Sequence, residues 1–198
     1  MKIAVIDYNS GNIASISNAL KTLNVDFFVT QDAEEINKAD KIIFPGVGHA
    51  ANAMKNLKEL NLLKTIKNLK KPFLGICLGM QILCNSSEEG DTKCLEIFDI
   101  DVKKFQSTEL PVPHMGWNNV KFKDSLLFKN IPQNTDFYFV HSYYLPLSSS
   151  SSRSSATCNY IQEFSAAVQK ENFYAVQFHP EKSGSRGLQL LKNFIELT

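Results

Sequence analysis

Gly75-Ile76-Cys77-Leu78-Gly79 places a thiol between two glycines, directly after the apolar run Pro72 to Ile76. This G-x-C-x-G pattern is the thiol counterpart of the G-x-S-x-G nucleophile elbow, a sharp turn from strand to helix. Such a turn holds the nucleophile in a strained backbone conformation, and the glycines let chain and substrate approach closely. A helix running on from Leu78 to Cys84 would aim its free N–H groups and positive dipole end at the sulfur, with the Leu78 N–H as the natural donor to an oxyanion.

A nucleophilic thiol needs a base within hydrogen-bond reach, and the base needs a third group to orient it. Of His49, His114, His141 and His179, the last stands out because it follows the strand-like Ala175-Val176-Gln177-Phe178 and precedes Pro180-Glu181. In an extended segment residues two apart share a side, so Glu181 is expected to reach the imidazole while Pro180 stiffens the link. His114 and His141 lack a carboxylate two residues away and are read as substrate-side or structural residues. Pro45-Gly46-Val47-Gly48 ends another strand, Lys41 to Phe44, and could present the Val47 N–H as a second oxyanion donor. A plain glycine-rich turn or a phosphate loop is the competing reading of that tetrapeptide. The phosphate loop is weakened by the absence of a Walker lysine and of any G-x-G-x-x-G.

Elements that could position these groups follow from the hydrophobic pattern. Lys2 to Asp7 reads as a short buried strand, with Ser10, Gly11 and Asn12 as a turn before a helix carrying Ile13, Ile16, Leu20 and Leu23. Val25 to Val29 is a second strand, Asp32 to Lys38 a short helix, and His49 to Lys70 a helical stretch. This alternation predicts an α/β chain with a mixed, mostly parallel central sheet flanked by helices. From Cys94 onward the texture changes to strand-like runs at Leu95–Phe105, Asn118–Phe122, Asp136–His141, Ala156–Ile161, Ser165–Gln169 and Phe173–Phe178, which predicts additional antiparallel strands. Gly187 to Leu197 closes as an amphipathic helix. Residues 148–155, seven serines and one arginine, are expected to form a flexible loop inside one domain spanning 1–198.

Composition narrows the function classes. The 198 residues are 43% hydrophobic and 21% charged, as suits a globular domain with a sizeable core. A net charge of +1 shows no basic excess for nucleic acid or an anionic membrane. No secretory signal and no run of roughly 18 apolar residues is present, so a cytoplasmic location is expected. Cys77, Cys84, Cys94 and Cys158 are too sparse for a disulfide scaffold and form no C-x-x-C pair, so four free thiols are expected.

Taken together, IDYNSGNIASISNAL, FPGVGHA, GICLGMQIL, VPHMGWN, YFVHSYY and AVQFHPEKSG span essentially the whole chain and resemble the triad-type (class I) glutamine amidotransferases. GICLGMQ with FHPE carries the resemblance to that superfamily, and within it PHMGWN and FVHSYY resemble the glutaminase subunits of imidazole glycerol phosphate synthase. The resemblance implies a flavodoxin-like amidotransferase fold and hydrolysis of L-glutamine to glutamate and ammonia. Cys77 would be the nucleophile, His179 the general base and acid, and Glu181 its orienter. Val47 and Leu78 would give oxyanion N–H groups, and Gly48, Gln81, His141, Ser142 and Tyr143 would hold glutamine. It further implies a (β/α)8-barrel cyclase partner that receives the ammonia, faced or bordered by Asn12, Trp117, Tyr143 and Lys182, and no metal or organic cofactor. Trp117 alone suits either an interface anchor or a core plug. Two rival readings stay open: a paralogous subunit feeding a different barrel in surface-sugar amination, and a non-enzymatic α/β scaffold with Cys77 as redox sensor.

Overall fold

Four short strands from the first 76 residues and one from near the end form the parallel part of the molecule. A computed structural model describes residues 1–9, 12–147 and 154–198. Its first half runs β1 (Ile3–Ile6), α1 (Ile13–Thr22), β2 (Phe27–Thr30), α2 (Ala33–Lys38), β3 (Lys41–Phe44), α3 (Ala50–Glu59), α4 (Leu62–Asn68), β4 (Phe73–Ile76) and α5 (Leu78–Gln81). The second half begins with β5 (Ser86–Ser87), β6 (Thr92–Lys93), β7 (Asp101–Lys104), β8 (His114–Phe122), β9 (Thr135–His141) and β10 (Tyr143–Tyr144). It ends with β11 (Ser154–Asn159), β12 (Glu163–Lys170), β13 (Phe173–Val176), a 3-10 turn at Pro180–Lys182 and α6 (Gly184–Leu197).

Among the described residues, nine strands join in the order β2-β1-β3-β4-β13-β12-β11-β8-β9. From β2 to β13 neighbours are parallel, and from β13 to β9 they are antiparallel, which is the mixed sheet expected. Successive side chains of a strand face opposite sides, so each buried strand feeds two cores. Ile3 and Val5 pack with Ile16 and Leu20 of α1 and Leu191 and Phe194 of α6. Ala4 and Ile6 pack with Ile36 of α2, Leu57 of α3 and Ile66 of α4. A second, four-stranded sheet, β10-β7-β5-β6, stands beside the first.

Several expectations are corrected. The helical stretch from His49 to Lys70 is two helices, broken where Asn61 takes a left-handed φ of 58°, a conformation asparagine tolerates better than most residues. The strand expected over Leu95–Phe105 is regular only at Asp101–Lys104. In the serine-rich segment residues 148–153 lie outside the described residues, as do Ser10 and Gly11, while Ser154 and Ser155 open β11 rather than belonging to a loop. All four cysteines are free and buried. No helix among the described residues is long and apolar enough to cross a membrane.

Candidate active site

Cys77 stands one residue past β4, and its N–H donates to the Val176 carbonyl at 2.8 Å, extending the parallel pairing of Ile76 with Val176. Its backbone has φ 52° and ψ −106°, a conformation that residues with a Cβ rarely adopt. Three close approaches of backbone hold this turn in place. A Cβ on Gly75 would lie 2.7 Å from the Gly79 carbonyl oxygen, one on Gly79 would lie 2.3 Å from the Phe44 carbonyl oxygen, and one on Gly46 would lie 2.4 Å from the Gly79 nitrogen. The ends of β3 and β4 thus lock onto the elbow only because these positions have no side chain.

The elbow helix is shorter than expected. After Gln81 the carbonyls of Ile82, Leu83 and Cys84 accept from Leu95, from Ile97 and Phe98, and from Glu96, so the following segment takes the acceptors a longer helix would need. A single turn sums few peptide dipoles, and the macrodipole expected behind the sulfur is correspondingly small. The Leu78 N–H does not stand open either. It donates to the Gly46 carbonyl at 3.4 Å, a long bond that a stronger acceptor can displace.

Behind the sulfur lies His179, whose Nδ1–H donates to Glu181 Oε1 at 2.8 Å, with both side chains almost completely buried. Glu181 reaches the ring through the 3-10 turn Pro180–Lys182 rather than along extended backbone as expected. Pro180 fixes φ for the first position of that turn, and the Ser183 N–H closes it on the Pro180 carbonyl. The His179 Nε2 makes no hydrogen bond of standard geometry, yet it is close enough to Cys77 for their charges to interact. Burial works against the imidazolium, but the charge at Cys77 and the Glu181 carboxylate outweigh it and hold His179 up at about 10.

In front of the sulfur is a cavity of about 310 Å³. Val47, Gly48, Leu78, Gln81, His141, Ser142 and Tyr143, all singled out from sequence, line it together with Cys77. Gln81 is spent inside the wall, since its Nε2 donates to the Tyr143 carbonyl at 2.9 Å and to Gln177 Oε1 at 3.0 Å. His141 is likewise engaged at both ring nitrogens, with Nδ1 on the Tyr143 carbonyl at 2.7 Å and Nε2 on His114 Nδ1 at 3.0 Å. Burial pushes His141 down to about 3 and His114 to about 4, so both rings are neutral.

Sequence reasoning missed two residues here. Glu89 lines the cavity and accepts the Ala50 N–H at 2.7 Å, and nothing in its local sequence marks it. Gln177 touches the sulfur, its Nε2 lying 3.5 Å from Cys77 Sγ. A polar residue inside Ala175-Val176-Gln177-Phe178 was the available signal.

Of the expected partner-facing residues, Tyr143 lines the cavity and the other three belong to separate elements. Trp117 is 58% exposed and meets the Tyr138 ring edge-on at 6.1 Å, which removes the core-plug reading. Lys182 Nζ stands 5.9 Å over the same ring. Asn12 caps α1 by accepting the Ser15 N–H, and α1 packs against the Pro180–Lys182 turn.

Residues 4–197 match the family model described as "Glutamine amidotransferase class-I". The chain belongs to that family. This class-I glutamine amidotransferase is 53% identical over 199 residues to a Bacteroides fragilis (strain YCH46) protein named "Imidazole glycerol phosphate synthase subunit HisH", with 100% of both chains covered. A Haemophilus influenzae (strain Rd) protein of the same name is 48% identical, covering 99% of this chain and 98% of its own. In fold, this amidotransferase is similar to a putative GMP synthase subunit of Thermoplasma acidophilum, with TM-score 0.75, 22% identity, and 98% and 92% of the two chains covered. It is also similar to PurLQS from Thermotoga maritima, with TM-score 0.69, 16% identity, and 98% and 97% covered.

Proposed function

We propose that this chain is the glutaminase subunit of an imidazole glycerol phosphate synthase, which hydrolyses glutamine and passes the ammonia to a (β/α)8-barrel cyclase in histidine biosynthesis. The observation that carries the reading is the convergence of Cys77, His179 and Glu181 at the paired ends of β4 and β13, beside a cavity of amino-acid size. Full-length identity of about half to proteins bearing that name supports the pathway.

In the proposed reaction the Cys77 proton passes to His179 and the sulfur attacks the side-chain carbonyl carbon of glutamine. The resulting oxyanion is taken by the backbone N–H groups of Leu78 and Val47. The C–N bond breaks as His179 returns the proton to the departing ammonia. Water then attacks the glutamyl thioester while His179 accepts its proton, giving glutamate and the free thiol. Gly48, Ser142, Tyr143 and the wall formed by Gln81 and His141 shape the pocket, and the Glu89 carboxylate at its edge suits the substrate's ammonium group.

Trp117, Lys182 and Asn12 form the proposed docking side for the cyclase in a heterodimer, with the complex placed in the cytoplasm. Because the Leu78 N–H is held by Gly46, the free subunit is expected to turn glutamine over slowly until docking shifts the Gly46-Val47 segment.

The test is glutamate release and product synthesis by the subunit with and without its co-purified barrel protein. Cys77→Ala is expected to abolish glutamine-driven synthesis in the complex while leaving synthesis from ammonium salts. Retention of the glutamine-driven rate by that variant would overturn the assignment.

A further inference from the structure

Gln177 has no role in that reaction, yet its amide joins the pocket wall to the nucleophile. It is fully buried, and its N–H donates to the Ala166 carbonyl at 2.8 Å. Val176 pairs with Ile76, so Gln177 and Cys77 leave the sheet side by side.

The polarity of the amide follows from its neighbours. The Tyr143 carbonyl can only accept, so the end of Gln81 that faces it at 2.9 Å is the NH2 group. The same NH2 group faces Gln177 at 3.0 Å, and Gln177 must therefore present its carbonyl oxygen there. What remains toward Cys77 Sγ, at 3.5 Å, is the Gln177 NH2 group. His141 strengthens the anchor, because its Nδ1–H also donates to the Tyr143 carbonyl at 2.7 Å. A backbone oxygen thus dictates, through two glutamines, that an N–H points at the sulfur.

The other nearby groups pull in opposite directions. The Val140 carbonyl, 3.8 Å from Sγ, accepts from a thiol and repels a thiolate. His179 favours the thiolate as the acceptor of its proton. An N–H from Gln177 offsets the carbonyl and strengthens as charge builds on sulfur, as hydrogen bonds to ions do.

We infer that Gln177 is a catalytic residue whose side-chain N–H stabilises the Cys77 thiolate before attack on the amide and again when thioester hydrolysis returns it, with Gln81 as its positioning residue. The inference rests on the reading of Cys77 as the nucleophile. The donor never touches glutamine, since Gln177 is absent from the cavity wall, so its effect falls on the rate of the chemical step rather than on substrate binding.

The test measures iodoacetamide alkylation of Cys77 against pH in the full chain, followed on the peptide carrying residue 77. Burial holds the Cys94 and Cys158 thiols up at about 12 and Cys84 well above its ordinary value, so they stay silent. In Gln177→Met, which keeps the length and loses the donor, the midpoint is expected to rise by about one pH unit, making alkylation about tenfold slower below it. In the complex kcat is expected to fall about tenfold with KM unchanged. A folded Gln177→Met whose alkylation profile superimposes on the native one overturns the inference.

If Gln177→Met does not fold, the native protein serves: the Gln177 side-chain amide resonance should move in step with the alkylation curve, and not in Cys77→Ala. No movement in the native chain overturns the inference equally. Alkylation needs neither glutamine nor a partner. A shifted profile in Gln177→Met together with no glutamate release by the native complex would therefore overturn the reaction class and leave the Gln177–sulfur bond standing. An unshifted profile with normal release would overturn only the role of Gln177.

Discussion

Cys77 donates its backbone N–H to Val176 across the seam between β4 and β13, and this bond carries the register of the two distant strands one residue beyond their ends. Cys77 and Gln177, 100 residues apart, then emerge together, with His179 two positions further on. The pairing brings a thiol on a strained backbone to an amide donor and a carboxylate-held imidazole that lie about a hundred residues further along the chain.

Glu181→Gln removes the carboxylate that helps hold His179 protonated and oriented. Glutamine-driven kcat is expected to fall by roughly 10²- to 10⁴-fold with little change in KM, and ammonium-driven synthesis is expected to persist. The pH dependence has a defined sign. His179 is raised from 6.5 to about 10, so its contribution to stability is complete below pH 6.5 and is lost as pH rises toward 10. Urea unfolding across that range should show a shallower loss in Glu181→Gln. Unchanged kcat would refute the orienting role.

The neutral histidine pair predicts the opposite behaviour in acid. His141 lies at about 3 and His114 at about 4, both below 6.5 because of burial, so between these values the unfolded chain binds more protons. Stability should fall as pH drops from 6.5 toward 4, by up to about 2.7 kcal/mol per pH unit for two protons. His114→Gln keeps hydrogen-bonding capacity and removes one proton site, so about half of the pair's slope should disappear from urea midpoints. Equal slopes in the two proteins would contradict the assignment of neutral rings.

Gly79→Ala tests the interlocked backbones. The added methyl would sit 2.3 Å from the Phe44 carbonyl oxygen, and neither chain can retreat without displacing the elbow. A loss of about 1–3 kcal/mol by urea unfolding is expected, with loss of glutamine turnover. Native stability and rate in this variant would show that the approach is slack.

What could be read from sequence follows from how locally each feature is encoded. Lys41–Phe44, the elbow and the α6 face are written in contiguous apolar runs and glycine spacing, and they stand where expected. The run Leu95–Phe105 has the composition of a strand. Residues Leu95 to Phe98 are instead used to cap the carbonyls after α5, a tertiary use that no local pattern reports. Short pairings such as Ser86–Ser87 with Thr92–Lys93 carry too few residues to show a period. Glu89 and Gln177 act through partners far away in the chain, and only the topology reveals them.

β13 sits between β4 and β12 in the middle of the large sheet, yet every other strand of that sheet precedes it in sequence. A polypeptide that has reached Glu171 already carries the thiol and the residues that line the pocket, but lacks His179, the proton acceptor of the proposed reaction. Non-local strand insertion of this kind is slow and comes late. On the proposed mechanism the pocket gains its proton acceptor only when β13 threads between β4 and β12, and fragments lacking that strand are expected to release no glutamate from glutamine.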